Sequence, residues 1–249
     1  MNRSVFGLAS LALGTCLPWG LHAQSMGFHG AMALGSQLVD RGQPITAETP
    51  ILQAAASWTS PTGWSLGLSA GAPLRTPGQL AEASVQASRY WPLSDAWQMQ
   101  TGLLYYRHPG SPRTRAFDRA EAGIQWMYRD VLTFGLSAVR VLGRNDHRLR
   151  GAADVDFHWP LPGHFYLSAG AGVAQTSAAP YRAYAYTGSY HERYDRESPS
   201  SYRYGHLGLI WAMGDWRAEL DRVVTTPRAR WQHGAPSLAP WVATVSWSF

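Results

Sequence analysis

The chain has 249 residues, with 21 Arg and Lys against 16 Asp and Glu, and a single Cys. It is 45% hydrophobic but only 15% charged, and it is rich in Gly, Trp and Tyr. That combination suits a surface that is apolar on one side and polar on the other, and one Cys excludes an internal disulfide framework.

The N-terminus reads as an address. Arg3 gives a short positive start, Val5 to Leu17 is apolar, and Leu21-His22-Ala23 forms a small-residue cleavage site before Gln24. The apolar part is shorter than the ~20 residues a membrane-spanning helix needs. Residues 1–23 are therefore expected to be a signal peptide, and residues 24–249 the mature protein. Cys16 as a lipid-attachment cysteine is the rival reading, but Thr15 fits poorly just before a lipidated Cys. Cys16 then leaves with the signal, and no thiol chemistry remains. No Lys occurs, so losing Arg3 leaves 20 Arg against 16 acids, an excess of four. A basic chain can point to nucleic acid, yet a secretion signal takes it out of the cytoplasm. An anionic membrane surface is the expected partner, and nucleic acid is not.

Beyond the signal no run of about 20 apolar residues occurs, so helical spanning is excluded. Period two is pervasive instead. In chain order, Phe28, Gly30, Met32, Leu34 and Leu38 share one face. Leu52 to Trp58, Trp64 to Ala70, and Ala83 to Ala87 within Ala81–Trp91 follow the same alternation. So do Trp97 to Tyr105, Ala120 to Tyr128, Leu132 to Ala138, and Leu149 to Trp159. Phe165 to Val173, Leu207 to Met213, Trp216 to Val224 and Trp241 to Phe249 complete the set. Twelve segments of about ten residues match tilted strands long enough to cross a bilayer.

The connections alternate too. Tight turns are expected at Ser60-Pro61-Thr62-Gly63, Pro92-Leu93-Ser94-Asp95, Arg129-Asp130, Pro160-Leu161-Pro162-Gly163 and Gly214-Asp215. The other connections are longer and polar, the longest from about Thr176 to Ser201. The expected fold is all-β: a closed, antiparallel, up-and-down transmembrane barrel of about 12 strands. Closure removes the sheet edges that lipid cannot satisfy. An even strand count puts both termini on the short-turn, periplasmic side of the bacterial outer membrane.

The aromatic residues repeat the asymmetry. Trp58, Trp64, Trp91, Trp97, Trp126, Trp159, Trp211, Trp216 and Trp247, with Phe249, all sit beside a short turn or the C-terminus. Trp231 and Trp241 are the exceptions in the mature chain. One-sided clustering reads as an aromatic belt at the inner membrane interface. A soluble β-sandwich explains the alternation but not the clustering.

Several stretches, in order, resemble the TorF-type porins, a family of small outer-membrane barrels. They are Val39-Asp40-Arg41-Gly42-Gln43-Pro44, Pro61-Thr62-Gly63-Trp64-Ser65-Leu66-Gly67-Leu68, Tyr105-Tyr106-Arg107-His108-Pro109-Gly110-Ser111, Trp159-Pro160-Leu161-Pro162-Gly163 and Val245-Ser246-Trp247-Ser248-Phe249. The resemblance implies a porin and no established catalytic residues. The terminal Phe in an alternating strand is similar to the signature read by the barrel-assembly machinery.

On the polar faces, Glu82, Arg119, Glu121, Arg150, Asp154, Asp156, His158, Arg217, Glu219 and Asp221 are the expected lumen-lining residues. They either line a water-filled path or pair across the barrel and plug it; twelve strands lie between filled and open barrels. Asp154, Asp156 and His158 share one strand face, a pattern able to hold a divalent metal, but a polar wall needs such residues anyway. No metal, cofactor or catalytic set is assigned. The expected function is passive diffusion of small hydrophilic solutes. The alternatives are a plugged structural or surface-binding barrel and an outer-membrane lipid-modifying enzyme, for which no Ser–His spacing stands out. Arg107, Arg113, Arg115, Arg144, Arg148, Arg193, Arg196, Arg228 and Arg230 fall in or beside the long loops. They are read as a clamp on lipopolysaccharide phosphates, a funnel for anions, or ordinary solvated charge.

Overall fold

The computed structural model describes residues 27–76, 78–109, 114–142, 148–175, 201–226 and 236–249. Expectations for the signal segment, for Arg113, Arg144, Arg193, Arg196, Arg228 and Arg230, for residues 176–200 of the longest connection and for Trp231 lie outside them.

Fourteen strands are described. Twelve build the barrel: β1 (Gly27–Gly35), β4 (Ile51–Thr59), β5 (Trp64–Pro73), β6 (Glu82–Pro92), β7 (Trp97–Arg107), β8 (Arg119–Tyr128), β9 (Leu132–Val141), β10 (Leu149–Leu161), β11 (Phe165–Gln175), β12 (Ser201–Met213), β13 (Trp216–Thr225) and β14 (Trp241–Ser248). Each pairs antiparallel with its neighbours in sequence, and β1 pairs with β14 to close the ring. The seam is finished by the last residue: Gly30 N donates to Phe249 O at 2.8 Å, and Phe249 N to Gly30 O at 2.9 Å. The twelve alternating segments of the sequence are these twelve strands.

Each short connection falls where turn chemistry allows it. Between β8 and β9, Arg129 and Asp130 have φ of 47° and 58°, and Gly63, Gly163 and Gly214 supply positive φ in three other turns. Consecutive positive φ lets two residues join strands without splaying them.

The pleat sorts the side chains. Leu68, Val85, Leu103 and Leu149 are 60–69% exposed on the outside, while the alternate positions Ser69, Ser84, Ser88 and Ser168 are buried. A water-soluble barrel would do the reverse, since large contiguous apolar patches are not left in water. An apolar exterior around a polar interior is the arrangement of a transmembrane barrel.

One expectation is corrected. Parity puts Leu38 on the outward face of the first strand, continuing Phe28 and Leu34. The strand stops at Gly35, and Leu38 is instead buried with Ile45, Ile51 and Phe117. The chain turns inward there and makes a small hairpin, β2 (Val39–Asp40) and β3 (Gln43–Pro44). Its tip, Arg41-Gly42, has φ of 46° and 72°.

Candidate functional site

The hairpin lies inside the barrel. On one side Val39 packs with Val223 of β13 and Val242 of β14. On the other, Asp40 Oδ2 pairs with Arg119 Nη1 of β8 at 2.8 Å. β14 and β8 stand six places apart in the ring of twelve, so the hairpin crosses the lumen between opposite walls. At the tip, Arg41 forms an ion pair with Glu121 of β8 and donates to Ser137 Oγ of β9 at 3.0 Å. Burial opposes the charge on Arg41, but Glu121 and Asp40 outweigh it and raise its pKa well above the ordinary value.

Gly42 is required at the tip. Its φ is positive, and a Cβ there would meet Tyr204 Cβ at 2.7 Å and Thr225 Cβ at 3.2 Å. Only glycine combines that backbone with that approach. The base of the hairpin is fixed by Gln37, whose Nε2 donates to Thr46 O at 2.8 Å and Ser237 O at 2.7 Å. Its Oε1 accepts from Ala239 N at 2.9 Å, so one amide ties this connection to the β13–β14 connection.

A second connection leans on the first. Phe117, in the short 3-10 turn Thr114–Phe117, joins the apolar core at the base of the hairpin. His108, fully buried, lies 3.3 Å from Glu82 and 3.5 Å from Asp118, between the rings of Tyr106 and Phe117. The stretch Tyr106-Arg107-His108 thus anchors the β7–β8 connection against the wall.

All ten residues expected to line the lumen are buried or half-buried on the inward face. They fall into separate groups. Arg119 and Glu121 meet the hairpin. Glu82 meets His108. Arg217 and Glu219 pair along β13, Nη2 to Oε2 at 3.1 Å. Asp154 accepts from Tyr204 Oη at 3.5 Å, and Asp156 lies 4.0 Å from His206 Nε2. Between these last two strands Gly170 of β11 leaves room: a Cβ there would collide with both Asp156 and His206. Asp154, Asp156 and His158 stand on the inward face of β10, and among the described residues no group of three His, Cys, Asp or Glu is placed to hold a metal.

Closure also brings together a pair that no sequence spacing indicated. Ser168 Oγ lies 3.1 Å from His206 Nε2. Asp156 approaches the same nitrogen, whereas a hydrolytic triad needs the acid on the other ring nitrogen. The pair also faces the interior of the barrel, away from lipid.

The interior leaves a void of about 100 Å³ beside the hairpin tip, bounded by Arg41, Gln86, Gln100, Gln125, Ser137 and Asp154. The space is narrow: three glutamine amides and two serine hydroxyls stand in its wall beside the charges of Arg41, Glu121 and Asp154, and the rest of the wall is apolar or backbone. The short-turn tryptophans stand where their sequence positions put them, with Trp64, Trp91, Trp97, Trp159, Trp216 and Trp247 exposed and Trp58, Trp126 and Trp211 half-buried. Neighbouring rings touch: Trp247 lies 4.7 Å from Phe249 and 6.4 Å from Trp216.

Solved structures share this architecture. The KdgM porin aligns over 89% of this chain and 98% of its own, with a TM-score of 0.53 and 7% identity. The NanC porin aligns over 90% and 99%, with a TM-score of 0.54 and 12% identity. The fold is that of the small porins. At such identity the likeness establishes the barrel and leaves the cargo open. No protein-family profile matches the chain, and neither does any curated protein sequence.

Proposed function

We propose that this chain is an outer-membrane porin of the TorF type. Small hydrophilic solutes diffuse through it passively, along a passage narrowed by the Val39–Pro44 hairpin. The observation that carries the reading is the closed barrel with its polar inward face, which beside the hairpin offers Gln86, Gln100, Gln125 and Ser137 together with Arg41, Glu121 and Asp154. Amides and hydroxyls placed among these charged groups hydrate a passing solute at several weak sites, which passive transport requires. Residues 1–23 act as the export signal, the termini face the periplasm, and the terminal Phe249 strand is read by the barrel-assembly machinery.

The cargo reading follows charge. One KdgM structure is described as a complex with disordered oligogalacturonate, an acidic saccharide. Here the described interior carries Asp40, Glu82, Glu121, Asp154, Asp156, Glu219 and Asp221 against Arg41, Arg119, Arg150 and Arg217. Seven carboxylates against four guanidiniums favour neutral or cationic solutes over acidic ones.

A plugged barrel is the second reading, and the Asp40–Arg119 and Arg41–Glu121 pairs that hold the hairpin across the lumen support it. Single-channel recording in a planar bilayer separates the two. Stepwise conductance from folded protein is expected. Electrical silence from folded, heat-modifiable protein would establish the plug instead.

A further inference from the structure

We propose that the outward face of β5–β7 holds one glycerophospholipid at its short-turn end. The lipid's phosphodiester rests on Arg89 beside two tryptophan rings, and an acyl chain lies in a notch over Ala87. The site is independent of whether the lumen conducts; only its assignment to the inner leaflet rests on the orientation proposed above.

The first observation is where this arginine stands. Among the described residues of the twelve barrel strands, the outward face carries no carboxylate, and its charges are Arg89, Arg107, Arg140, Arg203 and Arg222. Of these five, Arg89 lies toward the short turns and the other four toward the long connections. Its neighbours across the sheet are Trp64 of β5 and Thr101 of β7. This is the level of the aromatic belt, where head groups meet acyl chains.

The second observation is how it is held. The guanidinium carbon lies 3.9 Å from the centre of the Trp91 ring and 5.5 Å from that of Trp64. Trp91 is fixed in turn, donating from Nε1 to Thr101 Oγ1 at 3.3 Å. Stacking uses the flat face of a guanidinium, whereas its N–H donors lie in the plane and stay unused. The Nε is buried and meets no acceptor among the described residues, so the two Nη groups at the end of the side chain are the donors it can offer. A charged fork on a lipid-facing wall without acids is offset by an anion of matching shape, and phosphate oxygens accept from such a fork in bidentate fashion.

The third observation is the surface beside it. One step deeper on the same face, Ala87 stands between Leu66 and Leu103. These leucines are 50% and 65% exposed, so the small side chain between them leaves a notch. It lies about 7 Å from Arg89 along the strand, at ~3.4 Å per residue. The notch belongs to an apolar hollow of about 820 Å³ that Trp58, Leu68, Val85 and Ala122 also line.

The geometry selects the occupant. One guanidinium answers one phosphate, and one notch beside it accepts one chain, which a glycerophospholipid supplies together. A second copy of this chain would have to bring a carboxylate to Arg89, and the described outward strand face has none.

The test uses the full barrel in detergent micelles, with phosphatidylglycerol and the diacylglycerol of the same chains as probes in native mass spectrometry. Phosphatidylglycerol is expected to be held roughly tenfold more tightly, the effect of one bidentate charge-assisted contact. R89Q should lose that preference while remaining heat-modifiable, and R107Q, which removes a cation at the opposite end, should keep it. A87F, which fills the notch on a lipid-facing surface, is expected to weaken both probes alike. Equal retention of the two probes, an unchanged preference in R89Q, or an equal loss in R107Q overturns the proposal. So does a dimer that A87F disrupts with no effect on lipid. Micelles have no leaflets, so these outcomes stand apart from the orientation of the barrel.

Discussion

Excising the hairpin is the most direct perturbation of the proposed passage. For twelve strands spaced ~4.8 Å apart and tilted ~40°, the backbone cylinder has a radius of about 12 Å. Inward side chains on the wall take about 5 Å of that, leaving a free width of roughly 14 Å, while a two-stranded hairpin with its side chains fills roughly 10 Å. Replacing residues 39–44 with Gly-Gly removes that obstruction and leaves the barrel strands intact. Conductance follows the narrowest free cross-section, so an increase of at least about twofold is expected. The assay is single-channel recording in a planar bilayer, with heat-modifiability on gels as the check on folding. A deletion variant that folds but conducts no more than the parent would refute the placement of the constriction. The point variant G42V is a milder version: left-handed backbone costs a β-branched residue on the order of 1–2 kcal/mol, and its side chain meets Tyr204 and Thr225. It should produce flickering between the parent level and a larger one.

Other perturbations test separate parts. E121Q leaves Arg41 and Arg119 in the interior without a shared carboxylate; breaking a buried ionic network of this kind costs about 3–5 kcal/mol, so the unfolding midpoint in urea should fall clearly. G208V places a Cβ against Asp221, and the expected result is loss of the heat-modifiable band, with G151V, where nothing lies near, as the tolerated control. Reversal potentials in a KCl gradient should show cation preference, fading as salt rises; anion preference would mean that arginines at the mouth, not the described wall, set selectivity. Thiol labels on intact cells should reach a Cys introduced at Pro109 and not one at Pro61 or Pro162, and the opposite pattern would invert the topology.

The strands, their pairing order and the positions of the short turns were legible in the sequence, because each depends on neighbours in the chain; the turn expected at Pro160–Gly163 is shifted, since Pro160 and Leu161 still pair with β11 and the chain reverses over Pro162–His164. Alternation such as Leu132, Phe134, Leu136 against Thr133 and Gly135 is a property of one pleat, and Arg129-Asp130 or Pro162-Gly163 declares its turn locally. Inward charge was legible for the same reason: parity along β10 or β13 puts Asp154, Asp156, Glu219 and Asp221 on one face. What fills the barrel was not legible. Leu38 continues the outward parity of β1, and nothing local announces that the chain bends at Gly35 and carries Leu38 into a core with Phe117. The motif Val39-Asp40-Arg41-Gly42-Gln43-Pro44 stood out as a family mark, yet its place across the lumen depends on contacts with Arg119, Glu121 and Val242, at 79 to 203 residues' separation. The meeting of Ser168 with His206 likewise waits on β11 lying beside β12 at a particular register. Parity fixes which way a side chain points; only closure of the ring decides what it meets there.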